Sequence, residues 1–352
     1  MPTLPPPPAP EHTVPVLLIL FNRPEPTRLV LEAVRQARPA RLYVAADGPR
    51  PAHPTDAARC AETRALVVAG VDWPCQVSTL FGTTNQGCGL GPAAAISWFF
   101  EQEPEGIVLE DDCLPTPDFF RFCAELLPRY RTDTRVMHIG GNNLAREAHQ
   151  PVTPGGDSYH FSGRVHSWGW ASWRRAGQHF DFTLALLPQL RRRRALADVY
   201  PSRLERWFWL RKFEAVRTGP QPAHIWDYQW HFAVAAHGGL AIVPAVNLVA
   251  NIGFGAEATH TFDAHDQNAH PAPGALRFPL CHPPVVLRDG RRDGRYFREH
   301  LTGRVLAVAR RLTGFMPLDP APAPTYASAP SATLVRTAPW PAQAAHPSPV
   351  PA

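Results

Sequence analysis

The chain has 352 residues, of which 45% are apolar and 18% charged, with a formal net charge of +5. That apolar share excludes global disorder, and the roughly 300 residues between the Pro-rich ends suffice for a large buried core. The basic balance does not by itself indicate a nucleic-acid partner: Lys212 is the only lysine, and the bias toward Arg, Ala and Pro is compositional.

Residues 1–13 form a Pro-rich lead that cannot build a core. Val14–Phe21 is a continuous apolar run, suited to a strand covered on both faces. It is too short to span a bilayer, which takes about 20 residues, and no signal peptide precedes it. The spacing of Leu29, Ala33 and Val34 predicts a helix over Glu25–Ala37, followed by a strand over Arg41–Ala46 that ends at Asp47-Gly48-Pro49. A helix over Ala57–Val71, a strand over Gln76–Phe81 and a turn at Asn85–Gly89 come next, then a helix over Ala93–Glu101. Gly106–Leu109 is a strand running straight into Glu110-Asp111-Asp112. This alternation predicts an α/β fold with a mostly parallel, twisted central sheet flanked by helices.

The second half is less regular. A strand is expected at Val136–Ile139, helices over Pro201–Arg217 and Ile225–His237, and a strand over Leu240–Val243. Trp168–Trp173 reads as an aromatic stretch, flexible at Gly169. The run Arg191–Arg194 reads as a solvated helix end rather than a nucleic-acid arm, with loose contact to anionic lipid left open. Residues 14–265 are expected to form the main domain, 266–316 a C-terminal extension with a basic stretch over Arg288–Arg311, and 317–352 a Pro/Ala-rich disordered tail. Six cysteines without C-x-x-C pairs or zinc spacing read as reduced thiols of a cytoplasmic protein, with a resting place on the inner membrane face left open.

In an open parallel sheet, ligands bind beyond the carboxyl ends of the strands. Asn22-Arg23, Asp47 and Glu110-Asp111-Asp112 all fall there. Three adjacent acids repel one another, and burying them requires a cation. Carboxylates suit Mg²⁺ or Mn²⁺, which leave positions for phosphate and water. The triplet also reads as an acidic start to the helix opened by Pro115-Thr116-Pro117-Asp118, and spacing alone leaves both readings open. Arg23 offers a fork for a phosphate or base carbonyl, and Asp47 an acceptor for a base or ribose donor. Each also reads as ordinary turn chemistry. The turn containing Asn85 and Gly87 opens a helix whose N–H groups favour an anion, although it matches neither a Walker loop nor a dinucleotide fingerprint. Asp227 lies among aromatics, where burial raises a carboxyl pKa toward that of a useful base; a helix-start Asp is the alternative. Asn251 and His260 belong to a Gly-containing loop that reads either as a cover for a ligand or as an ordinary exposed loop.

Together these motifs resemble the GT-A-fold glycosyltransferases, most of all the N-acetylglucosaminyltransferases that begin complex N-glycan branching and their bacterial relatives. The likeness runs from Val14 to about Phe262, through Asn22-Arg23, Asp47, Glu110-Asp111-Asp112 with Pro117-Asp118-Phe119-Phe120, Gly169-Trp170, Trp226-Asp227 and the Asn251–Thr261 loop. The resemblance implies an inverting, metal-dependent transferase with a UDP-sugar donor, GlcNAc or similar. Its acceptor would be a glycan, lipid-linked or on a surface polymer. It implies that Asp112, with Asp111, holds Mn²⁺ or Mg²⁺, and that Glu110 and Asp111 serve the donor diphosphate. Arg23, with Asn22, and Asp47 would face the uracil. Asp227 would be the catalytic base, and the loop from Asn251 to His260 would order over the donor. Two features differ from what the relatives lead one to expect: Leu90–Phe100 carries no basic residue, and the domain is expected to stand without the anchor and stem of the eukaryotic enzymes. Two other activities remain to be separated from this one: a nucleotidyltransferase that makes a nucleotide sugar, and a non-catalytic sugar binder stacking ligands on Trp168, Trp170, Trp173, Trp207 and Trp226.

Overall fold

Five consecutive apolar residues, Val16–Leu20, form β1, buried along its whole length. The computed structural model describes residues 13–145, 156–219, 224–253, 274–313 and 337–339. Helix α1 (Pro24–Ala37) opens with Pro24, whose missing N–H is harmless in a first turn. It buries Thr27, Val30, Leu31 and Val34 at three- and four-residue spacing and stops at Arg38, in the left-handed region at φ 51°. Strand β2 (Arg41–Ala46) pairs parallel with β1, Leu18 opposite Val44. Helix α2 (Asp56–Ala69) and β3 (Gln76–Phe81) follow. Helix α3 (Gly87–Gln102) begins six residues before the expected Ala93, because the turn ahead of it is itself helical and carries Pro92 in its second turn. Pro92 cannot donate the usual i→i−4 bond, yet the helix runs on through it to Gln102.

Strand β4 (Glu105–Glu110) lies parallel to β1 on its other side, with Ile19 opposite Glu110. Then come β5 (Cys113–Pro115), α4 (Pro117–Tyr130) and β6 (Val136–Gly140). The second half adds β7 (Tyr159–Ser162), β8 (Trp170–Trp173), α5 (Arg174–Gly177), α6 (Leu187–Arg193), α7 (Arg203–Thr218), α8 (Asp227–Ala236), β9 (Leu240–Pro244), β10 (Val249–Asn251), α9 (Gly290–Thr313) and the short edge strand β11 (Thr337–Pro339). The stretch expected to be flexible is a buried strand: Trp170–Trp173 is closed to solvent, and only Gly169 takes an unusual conformation, at φ 63°. A side chain at Gly169 would run into Val249 and Leu109.

The sheet order is β11-β3-β2-β1-β4-β8-β6-β9-β7. All neighbours from β11 to β4 are parallel, β8 and β7 run against the rest, and β6 pairs parallel with β9. The molecule is thus α/β with a mostly parallel central sheet flanked by helices. Alternation divides each strand between two cores. Val16, Leu18 and Leu20 face α1 and α4, where Val30, Phe119 and Phe122 pack. Leu17, Ile19, Tyr43 and Val108 face α3 and α8, against Ile96, Phe99, Trp170 and Trp230. Residues after 273 join the same body: Leu276 and Leu280 lie in the first core, and Phe297 of α9 is buried. Among the described residues no helix is long and apolar enough to cross a membrane, and no disulfide joins any of the six cysteines.

Candidate active site

The register of β1, β2 and β4 fixes the rim. Leu20 stands opposite Ala46 and Ile19 opposite Glu110, so the chain leaves the three strands at one level. Asn22-Arg23, Asp47 and Glu110–Asp112 therefore come together from three parts of the sequence.

Arg23 is the centre of this rim. Its guanidinium bonds Asp111 through two nitrogens and reaches Asp112 Oδ2 at 2.9 Å. The amide of Phe21 also donates to Asp111, at 3.3 Å. Burial works against the charge on Arg23, but the two carboxylates outweigh it and bind its proton more firmly than usual. Glu110 stands apart from this clamp. Its Oε1 accepts from the indole N–H of Trp226 at 3.0 Å. Burial, with Asp112 and Asp111 repelling it, pushes the Glu110 carboxyl up to about 8.

Trp226 ties the acidic strand end to α8. Its ring stacks on Trp170 at 5.8 Å, and Trp170 packs on Trp230 at 4.8 Å. Asp227, the next residue, heads α8 beside Cys88 and in the field of Lys212, with its carboxyl raised by burial. Cys88 also feels Glu110 and Asp47, so its thiol marks the place where α3, β4 and α8 meet. The thiol contacts the His224 carbonyl oxygen at 2.8 Å.

Asp47 has an internal task. Its carboxylate accepts from the amides of Gly48, Gln86 and Gly87 at 2.8–3.0 Å and from Asn85 Nδ2 at 2.9 Å. The N–H groups at the start of α3, expected to favour an anion, face a carboxylate of the protein, an internal anion at a helix N-terminus. This explains the early start of α3. Gly87 takes φ 79° with open space where a side chain would stand. Gly48 is the opposite case: an added Cβ would lie 2.4 Å from the Thr84 backbone. Gly48→Ala is expected to cost about 1–3 kcal/mol, measured as a lowered urea midpoint. An unchanged midpoint would show that the Thr84 turn yields freely.

Asn22 is likewise engaged, donating to Asp56 Oδ1 at 2.7 Å. Asp56, Arg50, Arg59 and Arg64 are rim residues that sequence reasoning passed over. Arg50 holds Asp56 through two side-chain nitrogens and brings its carboxyl down to about 2. Arg59 Nε donates to the Asn22 carbonyl at 2.9 Å. Arg64 spans the carbonyls of Asp47 and Gly82 at 2.8 and 2.7 Å. The only local signal was an acid opening α2 amid three arginines.

On the far side, β10 pairs antiparallel with β5, setting Asn251 opposite Cys113. Asn251 Oδ1 accepts from Gly253, and the Ile252 amide donates to the Asp112 carbonyl, both at 2.8 Å. Gly253 touches Asp112 so closely that a Cβ would overlap its carboxylate, 2.1 Å from Oδ2. His260 lies outside the described residues.

The chemistry of this rim suits a hard divalent cation in part. Asp111 and Asp112 already converge on one positive group, and such ions are held by one or two carboxylates plus phosphate oxygens and water. Among the described residues no group of three or more His, Cys, Asp or Glu is arranged as ligands, so the remaining coordination would have to come from substrate and water.

The tryptophans do not form a sugar platform. Of the five named, Trp170, Trp173 and Trp226 are buried, Trp168 is half-buried and Trp207 is well exposed. Behind them lies His138, fully buried, which donates from Nε2 to the His166 carbonyl at 2.9 Å and accepts from Trp230 Nε1 at 3.1 Å. Burial lowers its pKa from 6.5 to about 3. A lowered histidine contributes stability above about pH 6.5 and loses it as pH falls toward the folded value. Relative to His138→Gln, the wild-type protein is expected to lose about 1.4 kcal/mol per pH unit between about pH 6 and 4. Urea titrations at each pH would show this, and parallel curves would refute it.

No family model matches the chain, and no curated protein matches it. Among solved structures, mouse xyloside xylosyltransferase 1 in its apo form shares 13% identity over 71% of this chain and 86% of that one, at a TM-score of 0.33. The galactosyltransferase LgtC, in complex with donor and acceptor sugar analogues, shares 12% over 82% and 95%, also at 0.33. HddC from Yersinia pseudotuberculosis, complexed with GMP-PN, shares 12% over 50% and 86%, at 0.30. At these scores the likenesses assign neither substrate nor residue role to this chain.

Proposed function

We propose that this chain is a GT-A-type glycosyltransferase that moves a sugar, GlcNAc or similar, from a UDP-sugar to a hydroxyl of a glycan, with inversion. The acceptor is lipid-linked or part of a surface polymer. The observation that carries this reading is the rim itself: a cationic clamp over Asp111 and Asp112, with a separate carboxyl, raised by burial, at the head of α8, where the preceding Trp226 bonds Glu110. Such a pairing suits a reaction in which a diphosphate departs on one side while a hydroxyl loses its proton on the other.

In this reading Asp227 takes the proton from the attacking hydroxyl. Burial makes it a stronger base than a solvated Asp. Inversion requires attack from the face opposite the departing diphosphate, and Asp227 and Arg23 come from separate elements that could flank the reacting carbon. Arg23 would exchange a carboxylate for the diphosphate and steady its negative charge. Asp112, with Asp111, would hold Mn²⁺ or Mg²⁺, which would supply further positive charge for the leaving group. The arginines at positions 50, 59 and 64 hold the nucleotide side of the rim rigid.

A melting-temperature panel of UDP-, GDP- and dTDP-sugars, each with and without Mn²⁺, tests the proposal, because a ligand of the native state raises the melting point by mass action. A rise with a UDP-sugar that grows with Mn²⁺ is expected. A rise only with nucleoside triphosphate and sugar phosphate would replace this reading by the nucleotidyltransferase one. No response to any nucleotide would defeat both.

A further inference from the structure

We propose that the outer face of α7, together with the end of α6, docks on an anionic lipid surface. The exposed residues of α7 are Arg203, Leu204, Trp207, Arg211, Ala215 and Thr218. From Leu204 onward they recur every three or four positions, which is one stripe along a helix. The opposite side packs inward through Glu205, Phe213 and Val216. Large apolar side chains on this stripe are left open to solvent: Leu204 is 52% exposed and Trp207 58%. Leu186, just ahead of α6, is 39% exposed.

The charge beside this stripe is one-sided. Arg191–Arg194 are all exposed, and Arg191 reaches Glu214 of α7 at 3.8 Å. That contact places the arginine run along the Trp207–Arg211–Glu214 edge of α7. Arg211 in turn lies over the Trp207 ring at 5.6 Å. Between Leu186 and Gly219 the chain carries nine basic residues against three acidic ones. Of those acids, Glu205 is buried against Arg164, and Glu214 is paired with Arg217 and Arg191.

A tryptophan and leucines ringed by arginines match the interface of a bilayer. Indole and leucine enter the headgroup boundary, and Arg heads remain with anionic lipid, each strengthening binding roughly fivefold. A nucleic acid would use the arginines and the indole but offers nothing to Leu186 and Leu204, so the lipid surface is the better fit. The placement also serves a membrane-bound acceptor. Lys212, the neighbour of Arg211, turns the other way, over the Tyr228 ring and toward Asp227. The inference stands whether or not the chain is a transferase.

The test is co-sedimentation of the full chain with vesicles of phosphatidylcholine alone and of phosphatidylcholine with about one-third phosphatidylglycerol. Binding to the anionic vesicles only, weakened by salt, is expected. Leu204→Gln/Trp207→Gln and Arg192→Glu/Arg193→Glu should each weaken it by about tenfold or more, and Arg192→Lys/Arg193→Lys should not. All variants should keep the wild-type melting point and its response to nucleotide, because none touches the rim. Wild-type protein that ignores both vesicle types would overturn the proposal. So would a Leu204→Gln/Trp207→Gln variant that binds as wild type does. Binding to duplex DNA lost only with the arginines, without vesicle binding, would assign the face to polyanions instead.

Discussion

Asp227→Asn is expected to lower transfer about 10²- to 10⁴-fold, the range for a lost general base, while changing nucleotide affinity by no more than about twofold. The substitution keeps shape and removes only the ability to hold the proton. Asp227 lies at the first position of α8, an element whose preceding Trp226 bonds the acidic strand end. Stability should change little. The helix start favours the carboxylate, burial disfavours it, and the amide escapes both. Turnover measured alongside a nucleotide melting shift separates the readings. Unchanged turnover would remove Asp227 from the chemistry. Loss of both turnover and nucleotide binding would make it part of the donor site instead.

Much of the first half was legible because its elements are written locally. The apolar run of β1, the strands Arg41–Ala46 and Gln76–Phe81, and the rim that their ends create all follow from periodicity and the rule of strand ends. What the residues on that rim do to one another was not legible. Nothing near Asp47 announces that its carboxylate will cap α3, 39 positions on, nor does Arg23 announce that it will be shared by two acids nearly 90 positions away. Asn85 and Gly87 were read as open to an anion for the same reason: the internal anion that fills the place is remote in sequence. In the second half, β7, β8 and β10 are three or four residues long and carry no period worth reading. The tryptophans of β8 looked like a surface because they are many, and they are core because the sheet closes over them. The buried pair of Arg164 and Glu205, 2.7 Å apart through Nε, was equally invisible, being built across 41 positions.

Arg23→Gln is expected to produce the largest loss of stability, about 3–5 kcal/mol, because it leaves Asp111 and Asp112 adjacent and without their cation. Their side chains are only 4% and 13% exposed, so water does little to relieve the repulsion. The variant should regain part of that loss in Mn²⁺, by about 2.7 kcal/mol at a hundredfold excess over the dissociation constant. The wild-type protein should respond weakly to Mn²⁺ alone, since the same two carboxylates are already neutralised by the guanidinium. Adding nucleotide diphosphate should remove that difference in the wild type, because the phosphates give Arg23 a second anion and the metal its remaining oxygens. Arg23→Lys tells charge from geometry: one ammonium cannot span both carboxylates as a fork does, so it should fall between the two. Urea titrations in EDTA and in Mn²⁺ decide the matter. If Arg23→Gln is destabilised but indifferent to Mn²⁺, while the wild type binds nucleotide without metal, then Asp111 and Asp112 are no metal ligands. Arg23 is then the resident cation of a metal-free site, and the departing diphosphate is met by a guanidinium alone.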